Sequence, residues 1–228
     1  MKNLILIPAR KNSKRIKNKN MVKIKKKPLI YWTINYAKKF EKDFDIVVSS
    51  DCNKIKKICN NEKIFFLKRP KRMSGDNASI HEVIFDTLKK INNQYKYIIL
   101  LQPTSPLRKK DLIYKALKIL NKKKNFDSLI HLAFDTSFTG SIKKNIWKPD
   151  YKLNKRSQDI NDKLVPTGNL YVYRSYLYDK KIKSPKKIYG LITNNKENWV
   201  DIDHESDLAI LDFYLKKSKN KRLLVFNR

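Results

Sequence analysis

The chain alternates short apolar runs with longer segments that have the 3.6-residue period of an amphipathic helix. The first run, Leu4-Ile5-Leu6-Ile7, ends at Pro8, and the most apolar run spans Tyr97 to Leu101. Short runs that are apolar at every position indicate strands buried on both faces of a sheet. Parallel strands need long crossover connections, and the helical segments supply them. The sequence therefore predicts an α/β fold with a mostly parallel sheet flanked by helices.

The remaining elements continue this alternation. Further strands are predicted at 46–48, 64–67, 128–133 and 168–173, with a last one over 199–203. Helices are predicted where apolar residues recur every three or four positions, at 28–37, 55–58, 79–91, 112–120 and 208–214. Residues 134–165 break the pattern and predict an inserted arm. Because the elements form one continuous series, we expect a single domain over residues 1–228.

The apolar runs have the length of strands and fall far short of the roughly 20 residues that a helix needs to cross a bilayer. The N-terminus passes from Lys2 directly into the first strand and lacks the apolar core and cleavage site of a secretory signal. We therefore expect a cytosolic protein that does not span a membrane. Cys52 and Cys59 have neither the number of a disulfide framework nor the spacing of a zinc site, and we expect both to be reduced.

The chain carries 53 lysines and arginines against 21 acidic residues, which gives a formal net charge of +32. A charge of this size often indicates binding to a polyanion such as nucleic acid. The lysines, however, are spread from Lys2 to Lys221, whereas a nucleic-acid-binding face concentrates arginines and aromatic residues in one patch. We therefore expect most of this charge to lie on solvated surfaces, with nucleic-acid binding as the less favoured alternative.

The loop after the first strand concentrates basic and polar residues. It runs Pro8-Ala9-Arg10-Lys11-Asn12-Ser13-Lys14-Arg15 and continues to Lys19-Asn20, so that it contains five cations, a hydroxyl group and two amides. Ligands of parallel α/β sheets bind outside the carboxyl ends of the strands, where this loop is expected. It lacks the glycines and the Gly-Lys-Ser/Thr ending of a Walker loop. From composition alone, a triphosphate-binding loop and a solvated lysine-rich loop are both open.

This loop and several later segments together resemble the acylneuraminate cytidylyltransferase family, whose members make CMP-activated nonulosonic and related sugar acids. The matching segments follow the family's order along almost the whole chain: Ile7 to Ile16 with Lys19-Asn20, Val48 to Asp51, Arg69-Pro70, Gly75 to Ser79, Leu101 to Arg108, Pro166 to Tyr171 and Asp201 to Asp203. The resemblance implies a Rossmann-like nucleotidyltransferase fold and a homodimer formed through an arm at about 134–165. It also implies CTP as the donor, a 2-keto sugar acid as the acceptor and Mg²⁺ as the cofactor.

The resemblance further implies roles for individual residues. Arg10, Lys14, Lys19 and Asp203 match positions that support the reaction. The positions matching the CTP site are Ala9, Arg10, Ser13, Lys14, Asn20, Arg69 and Ala78, and the last two lie where the cytosine is recognised. Gln102 and Tyr171 match the sugar-acid site, and Arg156 and Gln158 resemble a stretch of the arm that reaches the neighbouring subunit's substrate. Asp201 and Asp203 match metal-binding carboxylates.

Three positions depart from the family's pattern. Val165 precedes Pro166-Thr167-Gly168, where members that act on sialic acid often have an arginine. Asn169 stands where a small apolar residue is usual, and Ile80 stands where a polar contact to the base is expected. Because the phosphate and metal positions are retained, these departures concern the substrate more than the reaction. The sequence does not identify the sugar acid, and it offers no general base.

Three alternatives stay open from the sequence alone. Asp203 can be only the N-cap of the last helix, because His204 to Asp207 make a plausible first turn. A metal-dependent glycosyltransferase also uses an Asp-x-Asp pair but releases a nucleotide instead of pyrophosphate. A basic nucleic-acid-binding protein is the non-enzymatic alternative. The histidines at 81, 131 and 204 lack ligand-like spacing and receive no catalytic role.

Overall fold

The computed structural model describes residues 1–75, 78–154, 156 and 163–217. These residues contain eleven strands and five α-helices, joined by loops and short 3-10 helices. The strands are β1 (Lys2–Pro8), β2 (Lys23–Ile24), β3 (Lys27–Pro28), β4 (Phe44–Ser50), β5 (Phe65–Lys68), β6 (Tyr95–Leu100), β7 (Ser128–Phe134), β8 (Gly140–Lys143), β9 (Ile146–Pro149), β10 (Leu164–Arg174) and β11 (Ile188–Thr193). The helices are α1 (Leu29–Lys38), α2 (Asn53–Asn61), α3 (Ile80–Ile91), α4 (Leu112–Lys122) and α5 (Glu205–Lys217).

Seven of the strands form one sheet in the order β11-β7-β10-β6-β1-β4-β5. β1 pairs in parallel with β4 and β6, β4 pairs in parallel with β5, and β7 pairs in parallel with β11. β10 is antiparallel to both of its neighbours, β6 and β7. The carboxyl ends of the other six strands therefore meet at one edge. The predicted α/β class with a mostly parallel sheet is confirmed.

Both faces of the sheet are covered by helices. Leu4 and Leu6 of β1 pack with residues of α3, whereas Ile5 and Ile7 pack with α1, α2 and α4. All four side chains are fully buried. Each buried aliphatic side chain contributes about 1.5 to 3 kcal/mol through the hydrophobic effect. This two-sided burial explains why the run is apolar at every position rather than at alternate ones.

The predicted strand over 199–203 is wrong. Residues Lys196–Trp199 form a 3-10 helix, and the next four residues belong to no strand. This segment lies against the loop after β6, where the Ile202 amide donates a 2.8 Å hydrogen bond to the Thr104 carbonyl. A loop presents no regular ladder of partners, so the segment is extended without joining the sheet. β11, which the sequence did not predict, is instead the outermost strand of the sheet, next to β7.

The interval predicted as an inserted arm contains an antiparallel hairpin, formed by β8 and β9. Its two-residue turn has positive φ angles at Lys144 and Asn145, as hairpin turns between twisted strands require. Ile142, Ile146 and Trp147 are exposed on this hairpin. The hairpin is therefore an apolar projection separate from the main sheet.

Among the described residues, no helix has both the length and the apolar character needed to cross a membrane. Cys52 and Cys59 are both buried, and both have free thiols. Burial raises the pKa of Cys59 to about 12, so its thiol stays protonated at neutral pH.

Candidate active site

A cleft of about 510 Å³ opens at the carboxyl edge of the parallel strands. Segments that directly follow β1, β5 and β6 line it, together with the segment before α5. The lining residues are Pro8, Arg10, Ser13, Lys14, Arg15, Lys19, Asn20, Arg69, Ile80, Gln102, Pro103, Thr104, Asp201 and Asp203. Nine residues that the sequence assigned to the site are in this set. Their positions come from four distant parts of the chain, which the parallel sheet brings to one edge.

The basic loop after β1 is held in shape by two hydrogen bonds to side chains. The Lys11 amide donates to Asp51 Oδ1 at 2.6 Å, and Asn20 Nδ2 donates to the Arg10 carbonyl at 3.0 Å. Ala9 is buried, and its amide donates to the Ser49 carbonyl at 2.9 Å, so it contributes backbone and no cleft surface. The end of β4 and Asp51, which directly follows it, therefore position the loop.

Positive charge dominates the cleft. Arg10, Lys14, Arg15, Lys19 and Arg69 line it together with only two carboxylates. An excess of cations in a partly enclosed site attracts a multiply charged anion, because nearby charges interact more strongly where solvent is partly excluded. The cleft can therefore accept a polyphosphate.

Arg69 is the most buried arginine of the cleft, with 7% of its surface exposed. Its Nη2 donates to the Ser49 carbonyl at 2.9 Å, which anchors the guanidinium to the end of β4. Burial lowers the pKa of Arg69 to about 10, so the side chain stays charged at neutral pH. Ala78, its predicted partner in base recognition, does not line the cleft, whereas Ile80 does.

Asp203 faces two cations of the basic loop. Lys19 Nζ donates to its Oδ1 at 2.6 Å, and Arg15 donates to its Oδ2. Partial burial alone raises the pKa of Asp203, but Lys19 and Arg15 outweigh this effect and hold the pKa below its usual range. Asp207 Oδ2 instead accepts from the amides of Asp203 and His204, at 2.7 and 2.6 Å. The Asp207 side chain thus stabilises the start of α5, whereas the Asp203 side chain binds Lys19 and Arg15 and does not cap this helix.

Asp201 and Asp203 both line the cleft, whereas Ile202 between them is fully buried. Asp201 Oδ1 accepts a hydrogen bond from Ser105 Oγ at 3.1 Å. The described residues contain no group of three or more potential metal ligands. Mg²⁺ commonly binds through one or two carboxylates and takes its other ligands from water and substrate phosphates. The two carboxylates at a cleft rich in cations therefore fit a divalent cation that also binds phosphate oxygens.

Arg108 supports the cleft without lining it, and the sequence assigned it no role. It is fully buried behind Gln102, and its guanidinium makes three hydrogen bonds. Nη2 donates to the Gln102 carbonyl at 2.6 Å, Nε to the Asn169 carbonyl at 2.8 Å, and Nη1 to Thr33 Oγ1 at 3.0 Å. Burial lowers the pKa of Arg108 to about 10, which still leaves it charged. Arg108 thus fastens the loop after β6 to the bend in β10.

That bend requires the glycine at 168. Gly168 has a φ of +73°, which side chains rarely tolerate. An added Cβ would overlap Ser105 Oγ and lie 2.9 Å from Gln102 Oε1. The bend and the Gln102 loop are therefore in close contact.

Several predicted residues lie elsewhere. Tyr171 is half-buried and packs on the α3 side of the sheet, and Arg156 is exposed; neither lines the cleft. Val165 and Asn169, two of the departures from the family's pattern, do not line it either. Gln158 lies outside the described residues, as do positions 76 and 77 of the segment Gly75 to Ser79.

Comparisons with known proteins agree on one group. Residues 4–220 match the family described as Cytidylyltransferase. N-acylneuraminate cytidylyltransferase of Escherichia coli is 26% identical over 228 residues, which cover 96% of this chain and 53% of that protein. Pseudaminic acid cytidylyltransferase of Campylobacter jejuni is 30% identical over 228 residues, which cover 95% of this chain and 97% of that protein. The chain thus spans about half the length of the first relative and nearly all of the second.

A solved structure of CMP:2-keto-3-deoxy-manno-octonic acid synthetase complexed with CTP has the same fold. It superposes with a TM-score of 0.68 and 13% sequence identity, and the match covers 96% of this chain and 100% of that one. At this level of identity the likeness concerns the fold alone.

Proposed function

The chain belongs to the cytidylyltransferase family, and from that premise we propose that it transfers CMP from CTP to a 2-keto sugar acid and releases pyrophosphate. The observation that carries this proposal is the cleft itself. Five cations and two carboxylates meet at the carboxyl edge of the sheet, which suits a triphosphate with a divalent cation. The two relatives named above act on different sugar acids, so the acceptor of this chain is a separate question.

In the proposed reaction, the anomeric hydroxyl oxygen of the sugar acid attacks the α-phosphorus of CTP. A new phosphorus–oxygen bond forms as the bond from the α-phosphorus to the bridging oxygen breaks, and the hydroxyl proton is lost to solvent. Pyrophosphate leaves with the bonding electrons. Transfer of this kind needs mainly positioning and stabilisation of charge.

The proposed roles of the basic residues follow from their places in the cleft. Arg10 and Lys14 border it from the loop after β1, and we assign them to the leaving pyrophosphate, with Ser13 and Asn20 beside them. Arg69, held at the end of β4, is assigned to the cytosine. A cation placed where negative charge develops lowers the barrier without reorganising at the moment of reaction.

The proposed acceptor side of the cleft is formed by Gln102, which Arg108 holds in place. Asp201 and Asp203 are the residues that would hold Mg²⁺. When bound, this ion supplies neutralisation of the phosphate oxygens and polarisation at phosphorus. Lys19 and Arg15 each form an ion pair with Asp203.

The hairpin β8–β9 supports a proposed homodimer. Ile142, Ile146 and Trp147 are exposed on it, and apolar surface of this kind is commonly covered by a partner. Arg156 lies outside the cleft of its own chain, which is consistent with a role in the partner's site. Light scattering at micromolar concentration should show a dimer, and Trp147→Asp should shift it toward monomer. A wild-type monomer with full activity would contradict this part of the proposal.

Pyrophosphate release from CTP tests the proposed activity directly. The acceptors are sialic, legionaminic, pseudaminic and deoxy-octulosonic acids, each assayed with and without Mg²⁺. We expect one or more of them to give equal amounts of pyrophosphate and CMP-sugar acid. Release of a free nucleotide without pyrophosphate would indicate a glycosyltransferase. Failure of every acid to release pyrophosphate would count against the proposed acceptor class.

Nucleotide choice provides a second measurement in the same assay. Ile80 and Arg69 both line the cleft, and we propose that they border a restricted site for the base. We expect CTP to be preferred over ATP and GTP by about a hundredfold or more, because a purine would leave buried polar groups unpaired. Comparable turnover with ATP would contradict the assignment of CTP.

A further inference from the structure

A second cleft, of about 440 Å³, opens at the same edge of the sheet near β7 and β11. We call it the His131 pocket, and its polar lining includes Lys109, Asp111, Lys115, His131, Asn194 and Asn195. It shares no lining residue with the larger cleft among the described residues. By strand alternation, His131 lies on the same face as Leu129, which packs in the cluster with α4. Tyr171, which matches the sugar-acid site of the family, packs on the opposite face of the sheet. The His131 pocket is therefore separate both from the larger cleft and from Tyr171.

The imidazole of His131 has a fixed environment. Only 3% of the residue is exposed, and its Nδ1 lies 2.6 Å from Thr167 Oγ1. Burial, reinforced by the positive charges of Lys109, Arg108 and Lys115, lowers the pKa of His131 to about 4. The ring is therefore neutral at physiological pH.

The hydrogen bonds around Thr167 hold the His131 ring in place. Thr167 Oγ1 donates to the His131 carbonyl at 3.3 Å, and it accepts from the Asn169 amide at 3.3 Å. The 2.6 Å contact with Thr167 Oγ1 engages Nδ1, whichever of the two atoms carries the hydrogen. Nε2 is the second ring nitrogen, and in a neutral ring it donates or accepts a hydrogen bond according to the tautomer.

The lysines of the pocket provide attraction for an anion. Within the described part of the chain, neither Lys109 nor Lys115 forms an ion pair. Asp111 supplies one negative charge against these two positive ones, and the Asn194 and Asn195 amides can both donate and accept hydrogen bonds. The pocket thus combines a net positive charge with groups that accept from hydroxyl hydrogens.

We propose that the His131 pocket binds a small hydroxylated anion of the carbohydrate type, such as a sugar phosphate or a sugar acid. Lys109 and Lys115 bind the phosphate or carboxylate, whereas His131 and Asp111 form hydrogen bonds with hydroxyl groups. Inorganic phosphate can contact the lysines and the amide groups, but it lacks the alcohol hydroxyl groups of a carbohydrate. The proposal does not depend on the reaction assigned to the larger cleft.

A continuous series of hydrogen bonds links this pocket to the larger cleft. His131 contacts Thr167, Thr167 accepts from the Asn169 amide, and Arg108 joins the Asn169 and Gln102 carbonyls. An occupant that holds His131 also restrains the bend to which Gln102 is fastened. We therefore expect occupation of the His131 pocket to change the KM of the acceptor more than the Kd of CTP.

Nuclear magnetic resonance of the histidine side chains tests the site, because the chain has only three histidines. The full chain is titrated without CTP, using inorganic phosphate, glucose 6-phosphate and glucuronic acid as probes. His131→Gln assigns the resonance. We expect glucose 6-phosphate or glucuronic acid to shift the His131 signals saturably, with smaller shifts for His81 and His204. The absence of a saturable His131 shift with every probe up to about 10 mM would overturn the proposal.

Charge-neutralising variants separate a specific site from general attraction to a basic surface. Lys109→Gln with Lys115→Gln should weaken binding by about tenfold or more, because charge-assisted hydrogen bonds are lost. Lys118→Gln removes a charge from the same helix at a residue outside the pocket and should leave binding unchanged. An equal loss in the Lys118→Gln variant would overturn the proposal. Phosphate binding as tight as that of glucose 6-phosphate would overturn the role given to the hydroxyl groups.

Discussion

Replacing Arg108 with lysine should damage acceptor binding while leaving CTP binding intact. Arg108 is fully buried, and its guanidinium joins the Gln102 loop, the Asn169 bend and Thr33. Lysine keeps the charge but cannot reproduce a planar fork of donors directed at three separate acceptors. We expect the ammonium to keep one of the three hydrogen bonds and to leave two acceptors without a donor.

The expected magnitude follows from those two lost contacts. A hydrogen bond to a charged group contributes about 1.5 to 3 kcal/mol, so the free energy of unfolding should fall by about 3 to 6 kcal/mol. Release of the Gln102 carbonyl should raise the KM of the sugar acid by about tenfold to a hundredfold, which corresponds to about 1.4 to 2.8 kcal/mol. The Kd of CTP should change by less than about threefold, because Arg108 does not line the cleft.

Arg174→Lys provides a matched control at the opposite edge of the sheet. Arg174 makes a similar set of hydrogen bonds: Nε donates to the Phe126 carbonyl at 2.7 Å and Nη1 to Tyr97 Oη at 3.1 Å. Its Nη2 donates to the Leu120 carbonyl at 2.8 Å and, at the longer distance of 3.5 Å, to the Lys123 carbonyl. It is half-buried, so its replacement should cost less stability than that of Arg108. Denaturant unfolding gives the stability of each variant, and steady-state kinetics with both substrates gives KM and kcat.

Two results would refute this reasoning. If Arg108→Lys loses stability but keeps the wild-type acceptor KM, then Arg108 is only structural. If Arg174→Lys raises the acceptor KM to the same extent, then the kinetic effect reports general loosening of the fold rather than the position of Gln102.

Three further predictions concern the cleft. Lys14→Ala should lower kcat by about a hundredfold, whereas Lys11→Ala should change kcat by less than about threefold, because Lys14 lines the cleft and Lys11 does not. Equal small effects of both substitutions would indicate that the loop is solvated and does not bind phosphate. Asp203→Asn should fold normally and lose most activity across a magnesium titration, and wild-type kinetics for this variant would contradict a role in catalysis. Asp207→Ala should instead lower the free energy of unfolding by about 1 kcal/mol, because it removes the acceptor for two amides at the start of α5. Gly168→Ala should lower thermal stability and raise the acceptor KM, because the φ of Gly168 is +73° and the added methyl group overlaps the Gln102 loop. An unchanged KM would show that the bend at Gly168 does not affect the position of Gln102.

The elements that the sequence predicts well are those in which local and global signals agree. β1 and β6 are buried on both faces, so their composition alone indicates strands. The start of α3 is also readable, because Ser79 and Glu82 have the spacing of a capping box, and the structure contains both of its hydrogen bonds. The order of the motifs then placed most of the cleft residues.

The missed features depend on contacts that composition does not record. β11 is an edge strand with Gly190 at its centre and only Leu191 and Thr193 buried, so it lacks a continuous apolar run. Arg108 belongs to a residue type that is usually exposed, and only the packing of two loops around it shows its burial. Asp203 and Asp207 are both able to cap a helix by sequence, and the fold decides between them because Lys19 and Arg15 engage the first.

The antiparallel strand β10 has a consequence for the order in which the chain can fold during synthesis. Among the described strands, β7 pairs with β10 and β11 alone, and both of these strands follow it in the chain. A ribosome that adds about 5 to 20 residues per second needs about 2 to 8 s to pass from Phe134 to Arg174. During that interval β5, β4, β1 and β6 can assemble as a four-stranded sheet, while the backbone groups of β7 have no strand to pair with. The nascent chain therefore exposes β7 and the unpaired side of β6 together, and a chaperone that binds at this stage would shield both strands.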